Sequence, residues 1–80
     1  GAHAGYRVYP CKNGRVAVAA LEPHFAAALC AAAGVPFEGM GTMFKPDTHA
    51  AMARFLAGKT RQQLDKLAIE KDIPLHTLAA

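Results

Sequence analysis

Tyr6-Arg7-Val8-Tyr9-Pro10-Cys11 and Arg15-Val16-Ala17-Val18-Ala19-Ala20 flank Lys12-Asn13-Gly14, and this stretch decides the fold. Two runs rich in β-branched and aromatic residues around Asn-Gly read as a hairpin. In a two-residue type I′ loop both central residues take positive φ, which Asn13 and Gly14 tolerate best. That loop pairs Cys11 with Val16, Tyr9 with Val18 and Val8 with Ala19. Because side chains alternate across a strand, Tyr6, Val8, Ala17, Ala19 and Leu21 share one face, and Tyr9, Cys11, Val16 and Val18 the other. Both faces are apolar, whereas a sheet with one wet face alternates with polar residues. Each side therefore calls for a cover.

Downstream, helices follow. Pro23 suits a first helical turn and Gly34 the position just past a last one, which predicts a helix over Pro23 to Ala33. Phe25, Leu29, Ala32 and Ala33 form its expected stripe. From Gly34 to Pro46 the glycines and prolines predict a loop, although Phe37, Met40, Met43 and Phe44 make it an apolar one. Asp47 or Thr48 can cap a second helix bearing Met52, Phe55 and Leu56 and ending at Gly58. Thr60-Arg61-Gln62-Gln63 fits a capping box. It opens a third helix with Leu64, Leu67 and Ala68 inward and Arg61–Asp65 and Lys66–Glu70 as i, i+4 pairs. Pro74 stops it, and Ile73 to Leu78 reads as a short edge strand. The order β-β-α-α-α-β defines a single small α+β domain over residues 6–80. Residues 1–5 are read as linker or cut-point residues outside the fold, with no basic stretch leading into an apolar run as a secretory leader requires.

Eighty residues with 52% hydrophobic content can fold as one domain. Eighteen of the hydrophobic residues are alanine, so the core is thin and a covering partner is expected. The net charge is +3, but the basic residues lie singly from Arg7 to Lys71, which argues against nucleic acid. No apolar stretch reaches the roughly 20 residues of a bilayer span, so no membrane role is expected. Cys11 and Cys30 lack the doublet spacing of a zinc or redox site, which points to a reduced, cytoplasmic protein, although spacing alone leaves one disulfide open.

Chemistry is sparse. His24, His49 and His76 fall in three different elements without a second ligand at metal spacing, so no metal site is expected. Met40, Met43 and Met52 read as gap-fillers. Gly39-Met40-Gly41 lacks the strand and helix that a dinucleotide fingerprint needs, and no cofactor-binding residue is assigned. Serine is absent. Glu22 alone stands out, because it lies where a strand gives way to a helix start and the helix dipole favours a negative charge there.

The run from Tyr6 through Asn13-Gly14-Arg15 and Val16-Ala17-Val18 to Ala20-Leu21-Glu22-Pro23-His24-Phe25 resembles the family III CoA-transferases, closest to their α-methylacyl-CoA racemase-like branch. Phe55-Leu56-Ala57-Gly58-Lys59-Thr60-Arg61-Gln62-Gln63-Leu64 and Asp72-Ile73-Pro74-Leu75 extend the likeness along nearly the whole chain. Two positions depart from it, since Ala26 and Leu64 stand where relatives often carry Trp. The resemblance implies the small domain of a two-domain enzyme acting on acyl-CoA thioesters. The large, Rossmann-like partner domain would hold the CoA and most catalytic residues, and the subunits would form a homodimer. It also implies a role for Glu22 of the Leu-Glu-Pro motif beside a catalytic His on that large domain. The fragment itself would hold no cofactor and no activity alone. The competing expectation is a stand-alone interaction domain that shares this fold.

Overall fold

The structure, a computed structural model, describes residues 2–79. Strands β1 (Tyr6–Cys11), β2 (Gly14–Ala19) and β3 (Leu75–Ala79) form one antiparallel sheet in the order β1-β2-β3. Helices α1 (Pro23–Ala33), α2 (Pro46–Ala57) and α3 (Arg61–Lys71) lie between β2 and β3 in sequence, with a short 3-10 helix at Met40–Phe44. The domain is thus the expected α+β arrangement of hairpin, three helices and C-terminal edge strand.

The hairpin register differs from the expected one by two residues. Tyr9 faces Val16, Val8 faces Ala17 and Cys11 faces Gly14, so the loop is Lys12-Asn13 and Gly14 is the first residue of β2. None of these three residues has positive φ. The Asn-Gly pair serves contacts with the rest of the chain instead. Asn13 Oδ1 accepts from the Arg61 backbone N–H at 2.8 Å and its Nδ2 donates to Gln62 Oε1 at 3.1 Å, so the turn caps α3 from outside. A Cβ on Gly14 would sit 2.3 Å from the Leu78 carbonyl oxygen and 2.8 Å from Arg61 Cδ, which no side chain allows. The slip of two keeps every side chain on its expected face, because the alternation has period two.

Only one face is covered. Tyr9, Val16, Val18 and Leu75 are buried together with Met43, Met52, Leu56, Leu64 and Ile73, where α2 packs on β1 and α3 on β2 and β3. Helix α1 leans on α2 and the 3-10 helix. It buries Leu29 of the expected stripe fully, with Phe25, Ala32 and Ala33 partly buried against the core, and adds Ala26 and Cys30, so its buried face is centred about one residue around the helix from the expected one. Gly34 (φ 74) ends α1 as predicted. The capping box of Thr60 and Gln63 is present in both directions. Helix α2 starts one residue before Asp47 and carries no side-chain cap. The Lys66–Glu70 pair forms at 3.9 Å, whereas Asp65 accepts from the Thr77 hydroxyl at 2.6 Å and leaves Arg61.

The segment ahead of β1, set aside in the sequence reading, is built into the domain from Ala2 to Gly5. Ala4 is fully buried. Its N–H donates to the Met43 carbonyl at 2.7 Å and its carbonyl accepts from the Tyr9 hydroxyl at 2.6 Å. The Ala20 N–H donates to the Gly5 carbonyl at 2.7 Å. Alanine and glycine lack the bulk that marks a core segment in a hydrophobicity pattern, yet their backbone groups are as demanding as any.

Candidate functional site

Glu22 occupies the N-cap of α1 with extended backbone (φ −83, ψ 147). Its carbonyl accepts the first helical bond, from Ala26 N at 2.9 Å. Its carboxylate makes no capping bond to the helix N-terminus, and the residue is exposed. Pro23 stands at the first helical position, where its missing N–H costs nothing. The dipole of α1 favours the negative charge of Glu22.

Beside it lies the uncovered face of the sheet. Tyr6 is 58% exposed, Val8 49% and Leu21, the residue before Glu22, 50%. Leu78 on β3 extends the same face at 40%. Between Tyr6 and Val8 the small side chains of Ala17 and Ala19 leave a shallow recess of about 260 Å³. Four of the six exposed large apolar residues thus share one surface, which is the mark of an interaction face rather than of scattered surface residues.

The other candidates are drawn apart. His49 accepts from Arg7 through Nδ1 at 3.0 Å and meets the Ala2 carbonyl through Nε2 at 2.5 Å, so it ties the first residues to α2. His24 stacks obliquely on Phe25 with ring centroids 4.0 Å apart. His76 sits opposite Ala17 on the open sheet face. Among the described residues no three His, Cys, Asp or Glu side chains come together as a metal would need. Both cysteines are free thiols. Cys30 is buried and donates to Met43 Sδ at 3.5 Å, and burial pushes its thiol above the ordinary value of 9.0. Burial likewise raises the Tyr9 phenol, with the nearby Arg7 charge opposing. Met43 and Met52 fill the core as expected, and Thr42, just before Met43, is buried too, unmarked by any pattern. No helix among the described residues is long and apolar enough to cross a membrane.

Glu22 thus lies exposed and without a capping bond, next to the exposed Leu21. The family model of CoA-transferase family III matches residues 1–80, and the chain belongs to that family. A search of curated proteins finds none that matches. The two departures noted in the sequence, Ala26 and Leu64, are both fully buried. Both side chains belong to helix packing in the core.

Proposed function

We propose that this chain is the small domain of a two-domain enzyme that acts on acyl-CoA thioesters, and that it closes over the active site of a large CoA-binding domain. On this reading the open face of Tyr6, Val8 and Leu21 meets the large domain, and Glu22 reaches the catalytic centre. The enzyme would work as a homodimer, in a reducing compartment such as the cytoplasm that suits two free thiols. The observation that carries the proposal is the state of Glu22, exposed and uncapped at the edge of an uncovered apolar face.

The chemistry follows the racemase-like branch. An imidazole on the large domain takes the proton α to the thioester carbonyl, the C–H pair passes to the enolate, and a proton returned from the opposite side inverts the centre. Such a base must be poised near neutral pH. A carboxylate accepting the N–H of its second nitrogen fixes the tautomer and stabilises the imidazolium that forms. Glu22 is assigned that positioning role and does not itself take the substrate proton.

Glu22→Gln in the two-domain enzyme tests this. The change removes charge, keeps size and breaks no cap, so stability should move by less than about 1 kcal/mol, while α-proton exchange from solvent deuterium into a 2-methylacyl-CoA falls roughly 10–100-fold. Its pH–rate profile should also lose its parent shape, which a merely structural role would not cause. Exchange at the parent rate with an unchanged profile would make Glu22 a helix-start residue only and remove the racemase reading.

A further inference from the structure

A second surface lies on the opposite side of the molecule from the open sheet face, and it does not depend on the reading of Glu22. Helix α1 carries no Lys, Arg, Asp or Glu from Pro23 to Ala33. A surface helix ordinarily sets a charged face against its buried one, and a helix apolar all round is a covered one. Yet Ala31 is exposed, and Ala28 and Ala32 are only half-buried. These alanines form one wall of a trough whose other wall is α3. The larger part, about 340 Å³, has Phe55, Leu67 and Ala32 as its apolar lining. A smaller part of about 220 Å³ continues it along Ala28 and Ala31, sharing Ala32 and Lys71.

The rim is basic. Lys59, Lys66 and Lys71 surround the larger part against the single acid Glu70. Glu70 is taken by Lys66, and among the described residues neither Lys59 nor Lys71 enters an ion pair. The Lys59 ammonium lies 5.5 Å from the centre of the Phe55 ring, over the trough floor. The dipoles of α3 and α2 favour Lys71, in the last turn of α3, and Lys59, just past the end of α2, but neither supplies an acidic side chain to pair with them. Apolar floor and uncompensated positive rim together specify the complement.

We propose that this trough docks an amphipathic α-helix of a second protein, apolar along one edge and flanked by Glu or Asp. Small residues on α1 allow a third helix axis to approach closely, and helix-in-groove recognition uses such a floor with charges at its border. A second copy of this chain does not fit. Helix α1 has no acid to offer, α2 has only Asp47, and α3 sets Asp65 and Glu70 against Arg61, Lys66 and Lys71.

The test titrates the 80-residue chain with an 18-residue helical peptide bearing leucines at i, i+3 and i+7 flanked by glutamates. A second peptide replaces every glutamate by lysine. Amide shifts in a two-dimensional NMR spectrum should move at Ala28, Ala32, Leu67 and Lys71, with the acidic peptide at least tenfold tighter than the basic one. That preference should shrink as salt rises and disappear in the Lys59→Glu, Lys71→Glu double variant, whose circular dichroism checks the fold. Equal binding of both peptides, shifts confined to Tyr6, Val8 and Ala17, or no binding at millimolar peptide would overturn the proposal. So would concentration-dependent shifts of the same amides without peptide, which assign the trough to a second copy. Saturation of those amides by adenosine 3′,5′-bisphosphate at a tenth of the peptide concentration would assign it to a phosphate ligand instead.

Discussion

Replacing Asn13 separates two physical accounts of the hairpin loop. If the loop needed positive φ at Asn13, glycine there would be at least neutral, since glycine adopts that region freely. The structure gives Asn13 a different task, as acceptor for the Arg61 N–H at 2.8 Å and donor to Gln62 at 3.1 Å. Losing a helix cap costs about 1 kcal/mol, and an exposed side-chain hydrogen bond adds roughly 0.5 kcal/mol. Asn13→Ala should therefore lose about 1–1.5 kcal/mol. Asn13→Gly should lose about 2 kcal/mol, because it also frees the unfolded chain. In a domain of this size each kcal/mol lowers the melting temperature by roughly 4–8 °C. Asn13→Asp keeps the acceptor and adds a charge that the helix N-terminus favours, so its melting temperature should stay within about 3 °C of the parent, on the same scale. Thermal and urea unfolding supply the numbers, and hydrogen exchange at the Arg61 amide localises the effect. An Asn13→Gly chain as stable as the parent, with Arg61 exchange unchanged, would refute the capping account.

Four further outcomes follow from burial and exposure. Tyr9→Phe deletes the hydroxyl that donates to the Ala4 carbonyl and should cost about 1–3 kcal/mol in urea unfolding, the penalty for a buried partner left unsatisfied; a loss below about 0.3 kcal/mol would show that water replaces it. Thiol labelling of the native chain should modify half-exposed Cys11 and spare Cys30 until the domain unfolds. Cys30 and Tyr9 both hold their protons more tightly when folded than their ordinary values of 9.0 and 10.0, so between those values and the raised ones the unfolded chain binds fewer protons. Their contribution is then complete below pH 9 and is lost as pH rises through the raised values, and a urea midpoint that climbed from pH 8.5 to 10.5 would contradict this. The open sheet face should make the isolated chain associate as concentration rises, and Val8→Glu should weaken that association in sedimentation; a parent that stays monomeric at high concentration with no dye-binding patch would argue against an interaction face.

The parts of this fold that were legible in the sequence are those set by local chemistry. Pro23 and Gly34 bracketed α1, Thr60 and Gln63 announced α3, and Pro74 placed the last strand at a border. The alternation of Tyr9, Val16 and Val18 gave the buried face correctly even though the register was off by two, since a two-residue slip does not change facing. What escaped was decided by contacts distant in the chain. Asn13 and Gly14 answer to Arg61 and Leu78, Ala4 answers to Met43 and Tyr9, and Asp65 was drawn from Arg61 to Thr77. Glu22 drew notice as a carboxylate where a strand gives way to a helix start, and the structure places it at the N-cap of α1. The lysine-rimmed trough was not visible, because Lys59, Lys66 and Lys71 are spaced as solvated residues and the apolar floor between them is assembled from Ala32 of α1, Phe55 of α2 and Leu67 of α3.

The strand directions also settle how the domain would carry load. Strands β1 and β3 both run antiparallel to β2 and so point the same way, with Tyr6 level with Ala19 at one end of the sheet and Ala79 level with Gly14 at the other. A pull applied through residues before Tyr6 and through Ala79 therefore acts along the strands, from opposite ends. Both ladders would be sheared, their hydrogen bonds strained together, whereas a pull across one end of a hairpin opens them one at a time. Motion in any chain attached at these two points would thus reach the sheet as a rigid strut, and helices α1 to α3, inserted between β2 and β3, would travel with it.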